Sequence, residues 1–135
     1  MRLALLAVAT APVALIAAAP ARADPPQPPP PPYIDHTQWV ESGPGLSSLH
    51  VYPTQAGRRA STEFVSPDEA WGEVLADAPG ADTPGMRAQF VCHWEFAEAA
   101  RPGKVSWNLE PWRPVVDAAT MIATRCNPGG PEEPS

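Results

Sequence analysis

The sequence KVSWNLE at residues 104–110 alternates between apolar and polar side chains without interruption. Successive side chains of a β-strand point to opposite faces, so Val105, Trp107 and Leu109 would share one face. The polar side chains between them would share the other face. Pro111 ends the pattern, since proline cannot donate a hydrogen bond to a sheet. The stretch therefore predicts a β-strand with its apolar face toward the core.

Two further segments upstream have strand character. Residues 33–40 and 46–52 are rich in β-branched and aromatic side chains, and they flank the turn sequence SGPG at residues 42–45. This combination predicts a β-hairpin. We also predict a shorter third strand at residues 61–65.

Three helices are predicted from their starting signals. Ser66 followed by Pro67 offers an N-cap and a proline at the first helical position, and Thr83 followed by Pro84 offers the same. The first of these helices ends near residues 79–80, and the second runs to about residue 100. A third helix is predicted from Pro114.

The second and third helices have apolar faces. In the second helix, one face carries Met86, Phe90, His93, Trp94 and Ala97, and the opposite face carries Arg87, Glu95 and Glu98. In the third helix, the buried face would carry Val115, Ala119, Ile122 and Cys126. That register would bring Cys126 to the flank of the second helix.

The chain begins with an export signal. Arg2 precedes an uncharged apolar run from Leu3 to Ala19, and small residues at positions 21 and 23 suit a signal peptidase. We predict a signal peptide at residues 1–23, cleaved between Ala23 and Asp24. The alternative is a retained membrane anchor, but the run is short for a spanning helix and contains a proline.

An exported chain reaches an oxidising compartment, where Cys92 and Cys126 are the only cysteines. We expect them to form a disulfide. Two free buried thiols are the alternative, and no metal site is predicted because two cysteines and His93 do not complete a four-ligand set. The predicted fold class is α+β: a small antiparallel β-sheet with about three helices packed on one face and one disulfide. Trp94 and Trp107 are the predicted centre of its core.

The mature chain divides into three parts. Residues 24–32 form a proline-rich linker, in which seven of the eight residues from position 25 onward are proline, a composition typical of an extended spacer. Residues 33–127 form a single secreted domain. Residues 128–135 are predicted to be a disordered tail.

Charge excludes some partners. The chain has nine basic and fifteen acidic side chains. Arg2 and Arg22 leave with the signal peptide, so seven basic side chains remain and the net charge becomes −8. Nucleic acid is therefore not an expected partner, and the same argument disfavours anionic lipid headgroups. After cleavage, no stable membrane anchor is expected.

Three motifs carry a family resemblance: CHW at residues 92–94, KVSWNLEPWRP at residues 104–114 and CNP at residues 126–128. With these motifs in this order behind a leader and a linker, the chain resembles the secreted actinobacterial (mycobacterial-type) domain of unknown function family 2599. The resemblance covers about residues 33–128. It implies secretion and a paired Cys92 and Cys126, and it implies no activity, substrate or catalytic residue.

The strongest candidates for a binding site lie at the end of the clear strand. Asn108, Glu110 and Arg113 would place an amide, a carboxylate and a guanidinium beside Trp112, a set that suits a sugar or a carboxylate. The alternative is a structural ion pair between Glu110 and Arg113, with Asn108 bonded to nearby backbone.

His93 is the strongest catalytic candidate. It lies within an apolar stripe, so it is either a core histidine hydrogen-bonded to a partner such as Gln89 or Asn108, or a general base acting with Glu110. His36 and His50, on the predicted hairpin, would lie next to each other and are expected to be surface histidines rather than metal ligands. The sequence contains no Gly-x-Ser-x-Gly, phosphate-binding loop or His-Glu-x-x-His motif.

Two functions follow from these observations. The first is a secreted, non-catalytic protein that binds an envelope or extracellular ligand, without a cofactor, in the medium or at the cell wall. The second is a small secreted hydrolase that uses His93 and Glu110.

Overall fold

The computed structural model describes residues 19–131, which form a three-stranded antiparallel sheet and four α-helices. The strands are β1 (Ile34–Glu41), β2 (Ser47–Pro53) and β3 (Trp107–Leu109), in the order β1-β2-β3. The helices are α1 (Gln55–Thr62), α2 (Asp68–Asp77), α3 (Pro84–Ala100) and α4 (Ala118–Ala123), and one turn of 3-10 helix spans Pro79–Ala81. The predicted α+β class with an antiparallel sheet and one disulfide is confirmed.

The hairpin is confirmed, with β1 and β2 paired from Ile34 opposite Pro53 to Glu41 opposite Ser47. The clear strand is shorter than predicted. Only Trp107–Leu109 pairs with β2. Val105 lies before this paired segment, and 69% of its surface is exposed. The prediction that Val105 shares the core face of this strand is therefore wrong.

Aromatic side chains fill the core between the sheet and the helices. Trp94 is 2% exposed and Trp107 is fully buried, as predicted, and their rings meet edge to face with centroids 6.2 Å apart. Phe90 contacts both rings. Such edge-to-face aromatic pairs add about 1 kcal/mol each to the free energy of burial.

The third strand predicted at residues 61–65 is wrong. Helix α1 ends at Thr62, and residues 60 and 61 are buried in it. Its start is fixed by the Thr54 hydroxyl, which accepts a hydrogen bond from the Gly57 amide at 2.9 Å, and by Gly57, where a Cβ would lie 2.2 Å from the carbonyl oxygen of Tyr33. After the helix, the chain turns through Phe64, whose φ is 59°, and the Val65 amide donates to the Ala60 carbonyl at 3.1 Å. The segment therefore forms the end of a helix instead of a strand.

The longest helix, α3, begins where the sequence predicts. Thr83 caps α3 by accepting a hydrogen bond from the Met86 amide at 3.2 Å, and Pro84 is its first residue. Helix α2 begins one residue later than predicted, with Pro67 instead of Ser66 as its N-cap, and the Ser66 hydroxyl donates to the Asp68 carboxylate at 2.9 Å. The Glu73 carboxylate of α2 accepts hydrogen bonds from the backbone amides of residues 33 and 34. Helix α2 therefore holds the start of β1.

The last helix differs from its prediction. It spans only Ala118–Ala123, with Asp117 as N-cap, and Val115 and Ile122 are 69% and 54% exposed rather than buried. Met121 is the buried residue of this helix. The Asp117 carboxylate accepts a hydrogen bond from the Thr120 amide at 2.7 Å, so the helix begins after Val115, and it ends before Cys126, where the backbone has positive φ. The predicted helix face from residue 115 to residue 126 therefore does not form.

The disulfide is confirmed, with an S–S distance of 2.10 Å and a Cα–Cα distance of 5.6 Å between Cys92 and Cys126. Both cysteines are buried with Met121 in a second small core. Closing a loop of 34 residues contributes about 4 kcal/mol in the chain-entropy model. The bridge fixes the end of the domain to the middle of α3.

The chain is exposed at the predicted cleavage site but packs against the domain within the predicted linker. Ala23 and Asp24 are exposed, whereas Pro29 is buried and its carbonyl accepts a hydrogen bond from the Tyr33 hydroxyl at 3.0 Å. The apolar part of the predicted leader, up to residue 18, lies outside the described residues. Within residues 19–131, none of the helices has the length and apolar character needed to cross a membrane.

The predicted tail starts inside the fold. Pro128 is fully buried, and the backbone carbonyls of Pro128, Gly130 and Pro131 accept hydrogen bonds from Arg113. Its first four residues are thus ordered by a buried cation, which differs from the prediction of disorder from residue 128. Residues 132–135 lie outside the described part of the chain.

Candidate functional site

An ion pair lies at the end of β3. The Arg113 Nε donates to Glu110 Oε2 at 2.6 Å, and both side chains are fully buried. The other carboxylate oxygen of Glu110 accepts a hydrogen bond from the Ser48 hydroxyl at 3.1 Å. The remaining Arg113 donors reach the carbonyls of residues 128, 130 and 131 at 2.9–3.2 Å, and the guanidinium lies 4.5 Å from the centroid of the Trp112 ring. Both charges are therefore neutralised inside the protein.

Gln89 connects this ion pair to α3. Its side-chain amide donates to the Glu110 carbonyl and accepts from the Glu110 amide, both at 2.9 Å. A buried pair of hydrogen bonds of this kind fixes the end of a strand to a helix. The position of Glu110 is thus determined by β2, α3 and Arg113 together.

His93 lies one helical turn beyond Gln89. Its Nδ1 lies 2.8 Å from the Gln89 carbonyl oxygen, so this nitrogen carries the proton and donates. Burial lowers the pKa of His93 from 6.5 to about 4; the bond to Gln89 opposes this, and the charges of Lys104 and Arg113 lower it further. His93 is therefore neutral at physiological pH, and its backbone partner is the residue expected from the sequence.

Asn108 is buried on the polar face of β3. Its Oδ1 accepts a hydrogen bond from the Ser106 hydroxyl at 2.7 Å, and its backbone lies opposite His50 of β2. The Asn108 Nδ2 and Trp112 Nε1 are buried without a hydrogen-bond partner among residues 19–131. The polar face of the strand is thus covered rather than open to solvent.

A groove lies between the second half of α3 and the C-terminal segment. Its volume is about 730 Å³. We call it the α3 groove and define it by its lining side chains, which include Cys92, His93, Phe96, Ala97, Ala100, Arg101, Lys104, Ile122, Thr124, Arg125, Cys126, Asn127, Gly130 and Pro131. His93 is the one sequence-derived candidate that lines it. The structure brings Glu110, Arg113 and Trp112 together, but it places Asn108, Glu110, Trp112 and Arg113 outside the groove lining.

The walls of the α3 groove are apolar. Phe96 is 41% exposed and Ile122 is 54% exposed, although both are large hydrophobic side chains. Ala97, Ala100 and the disulfide complete this surface. An apolar concave surface of this size is typical of a small-molecule site.

Three cations border the same groove. Arg101 and Arg125 are exposed, whereas Lys104 is buried. Burial lowers the pKa of Lys104, the positive charge of Arg101 adds to this effect, and the carboxylate of Glu110 opposes it.

The loop at residues 101–104, which follows α3 and carries Arg101 and Lys104, has a fixed backbone. Arg58 donates to the carbonyl of Lys104 at 2.6 Å and pairs with the Glu98 carboxylate, which also accepts from the Gly103 amide at 3.1 Å. Gly103 has a φ of 72°, a left-handed conformation that glycine adopts without strain. The α3 groove therefore has a pre-formed basic end.

Sequence reasoning did not find this groove. Its cations are scattered over residues 101–125, and its apolar residues were predicted as parts of separate helix faces. The sequence did contain one signal of this site, a local change in charge. Between positions 99 and 131 there are four basic residues and only two acidic ones, Glu110 and Asp117, although the whole chain is acidic.

The histidines of the hairpin are not directly paired. His36 lies opposite Tyr52 and stacks on its ring with centroids 4.1 Å apart, whereas His50 lies opposite Gln38. His36 also contacts the Asp35 carboxylate at 2.6 Å. Within residues 19–131, there is no group of three or more His, Cys, Asp or Glu side chains that could hold a metal ion.

The three-stranded sheet, the four helices and the disulfide between Cys92 and Cys126 define a small α+β domain. The chain belongs to the family described as "Protein of unknown function (DUF2599)", whose model matches residues 34–129. It is 53% identical over 139 residues to an uncharacterized protein of Mycobacterium tuberculosis strain H37Rv, and the match covers 93% of both chains. An uncharacterized protein of Mycobacterium leprae is 47% identical over 99 residues, covering 72% of this chain and 80% of that protein. No solved structure matches the chain.

We predict that Glu110→Gln destabilises the protein strongly. The substitution keeps the shape of the side chain but leaves the Arg113 guanidinium buried without a counter-charge, which costs about 3–5 kcal/mol. Urea denaturation of the purified variant measures this change in the free energy of unfolding. Asp68→Asn is the control, because it breaks an ion pair with Arg87 at the surface. The side chains of Asp68 and Arg87 are 71% and 49% exposed, and exposed ion pairs contribute little to stability. Equal effects of the two substitutions would contradict the structural role of Glu110.

We also predict a pH dependence of stability that originates in His93. In the unfolded chain, the imidazole binds a proton as the pH falls below about 6.5, whereas in the folded chain this occurs near pH 4. The unfolded state therefore binds more protons in this window. The stability that the neutral imidazole contributes is complete above about pH 6.5 and is lost as the pH falls toward 4.

The variant His93→Gln lacks this titration. The difference in unfolding free energy between the wild type and the variant should therefore shrink by about 3 kcal/mol between about pH 7 and about pH 4. Urea denaturation at a series of pH values measures it. Parallel pH profiles of the two proteins would show that His93 does not titrate in this way.

Proposed function

We propose that this protein is exported, loses residues 1–23, and acts at the cell wall or in the medium as a non-catalytic binding protein. The apolar leader and the small residues before Asp24 support export. The closed disulfide between Cys92 and Cys126 is compatible with an oxidising compartment. Residues 24–32 serve as a spacer between the new amino terminus and the domain.

The α3 groove is the observation that carries the binding function. It is a concave surface of about 730 Å³ with apolar walls, within the range of small-molecule sites. The disulfide and the Arg113 contacts to residues 128–131 fix its C-terminal wall against α3. A pre-formed groove binds a ligand at a low cost in conformational entropy.

The contacts of Glu110 support binding rather than hydrolysis. Its two carboxylate oxygens accept hydrogen bonds from Arg113 and Ser48, and its side chain is fully buried. A general acid or base must reach the substrate within hydrogen-bond distance. His93 borders the groove, but Glu110 is absent from its lining, so the pair lacks the common access that a hydrolase using both residues would need.

We predict that Ala100→Trp blocks the groove. Ala100 is an exposed residue that lines the groove at the end of α3, so an indole at this position fills part of the cavity. Nile red, a neutral apolar dye, should bind the wild type with enhanced fluorescence and bind the variant at least about tenfold more weakly, which corresponds to about 1.4 kcal/mol. Ala99→Trp is the matched control, because residue 99 is exposed on the same helix and is not among the groove side chains.

The protein for this experiment is purified from the medium of a mycobacterial host, so that its intact mass also reports cleavage after Ala23 and closure of the disulfide. Absence of dye binding, or equal binding by the two tryptophan variants, would refute the groove as the ligand site. An uncleaved chain found only in the cytoplasm would refute export.

A further inference from the structure

We propose that the ligand of the α3 groove is an anionic amphiphile: a single alkyl chain that lies on the apolar walls and ends in a carboxylate or phosphate held by Arg101 and Arg125, the two exposed cations of the lining. This inference rests on the proposed binding function and specifies its ligand class. It follows from the charge, the shape and the chemical composition of the groove.

The charge of the groove is opposite to that of the chain. Acidic side chains outnumber basic ones by fifteen to nine in the sequence. Among residues 19–131, by contrast, the side chains lining the groove include three cations and no aspartate or glutamate. A net negative charge is an average over the whole surface, and it does not set the local potential of a cleft. The expectation that anionic headgroups are disfavoured therefore does not hold at this site.

Lys104 is the most buried of the three cations. It is only 9% exposed; this burial lowers its pKa, and the positive charge of Arg101 lowers it further. The donors offered to a ligand head are therefore those of the exposed Arg101 and Arg125.

The apolar walls select an alkyl chain. Phe96 and Ile122 expose large hydrophobic surfaces, and Ala97 and Ala100 leave the space beside them open. Removing such apolar surface from water favours binding. Binding of a chain along the groove would bury the exposed parts of both side chains.

The polar groups of the groove fit an anion better than a sugar or a nucleotide. Apart from the cations, its polar side chains are His93, Thr124 and Asn127. The Nδ1 of His93 is committed to the Gln89 carbonyl, and the Thr124 hydroxyl is committed to the carbonyl of Thr120. A polyhydroxylated ligand needs many donors and acceptors, whereas an anionic head needs only the donors that arginine supplies.

The test compares ligands that share one chain and differ in their heads. Isothermal titration calorimetry is performed below the critical micelle concentration with laurate, dodecyl phosphate, dodecyl maltoside and dodecyltrimethylammonium, and with acetate as the chain-free anion. Laurate and dodecyl phosphate should bind at least about tenfold more tightly than the neutral and cationic ligands, and acetate should not bind measurably. The ratio of the two anionic affinities distinguishes a carboxylate from a phosphate as the preferred head.

Substitutions in the groove show which residues bind the charged head of the ligand and which bind its alkyl chain. The double variant Arg101→Gln with Arg125→Gln should weaken laurate binding about tenfold or more and leave dodecyl maltoside unchanged. Its control, Arg59→Gln with Arg87→Gln, removes two exposed arginines outside the groove lining and should change neither. Phe96→Ala should weaken both ligands, whereas Phe64→Ala, which removes a ring that is 98% exposed elsewhere, should weaken neither.

The outcomes separate the two proposals. Equal affinity for all four heads, or equal loss in the two double variants, would overturn the anionic ligand while Nile red binding still supports the groove as a binding site. Failure of every chain and of Nile red would overturn the binding function itself. Thermal melting of each variant verifies that a lost affinity is not a lost fold.

Discussion

The buried ion pair between Glu110 and Arg113 is the constraint on which this structure depends. Two charges inside a protein lose several kcal/mol of hydration each, and their attraction offsets this only if the remaining hydrogen-bonding groups are satisfied. Here, Ser48 and the carbonyls of Pro128, Gly130 and Pro131 provide that satisfaction. The end of β3, the central strand β2 and the C-terminal segment are thereby held in one arrangement.

The disulfide acts on the same segment from the other side. Cys92 and Cys126 bring the chain after α4 against α3, where Met121 packs beside the sulfurs. The ion pair and the disulfide together convert a short C-terminal segment, which would not fold alone, into one wall of a groove. A domain of this size has a limited core, so a covalent link at this place is physically reasonable.

The sequence predicts those elements whose signals are local. The Thr83 cap, the hairpin turn and the buried face of α3 each depend on residues within a few positions of one another, and each is confirmed. The pairing of Cys92 with Cys126 was also predictable, because the sequence contains no other cysteine. These predictions were sufficient for the fold class and for the centre of the core.

What the sequence could not predict depends on contacts between distant residues. Helix α1 was not predicted, and a strand was predicted at residues 61–65 where the helix ends, because the helix depends on packing of Gly57 against Tyr33, which no local pattern reveals. The ion pair of Glu110 with Arg113 was one of two alternatives from the sequence, but its complete burial was not predictable, because the other Arg113 donors are bonded to carbonyls in a segment that looks disordered by composition. The α3 groove was missed for the same reason, since its cations and its apolar walls come from separate elements.

Backbone amide chemical-shift mapping by NMR during a titration with laurate tests the α3 groove most directly. If laurate binds there, the perturbed amides should cluster in residues 92–104 of α3 and the following loop and in residues 121–131, while the hairpin of β1 and β2 should be unaffected. Perturbations centred on the hairpin or on α2, or no localised perturbation at saturating ligand, would contradict binding in this groove.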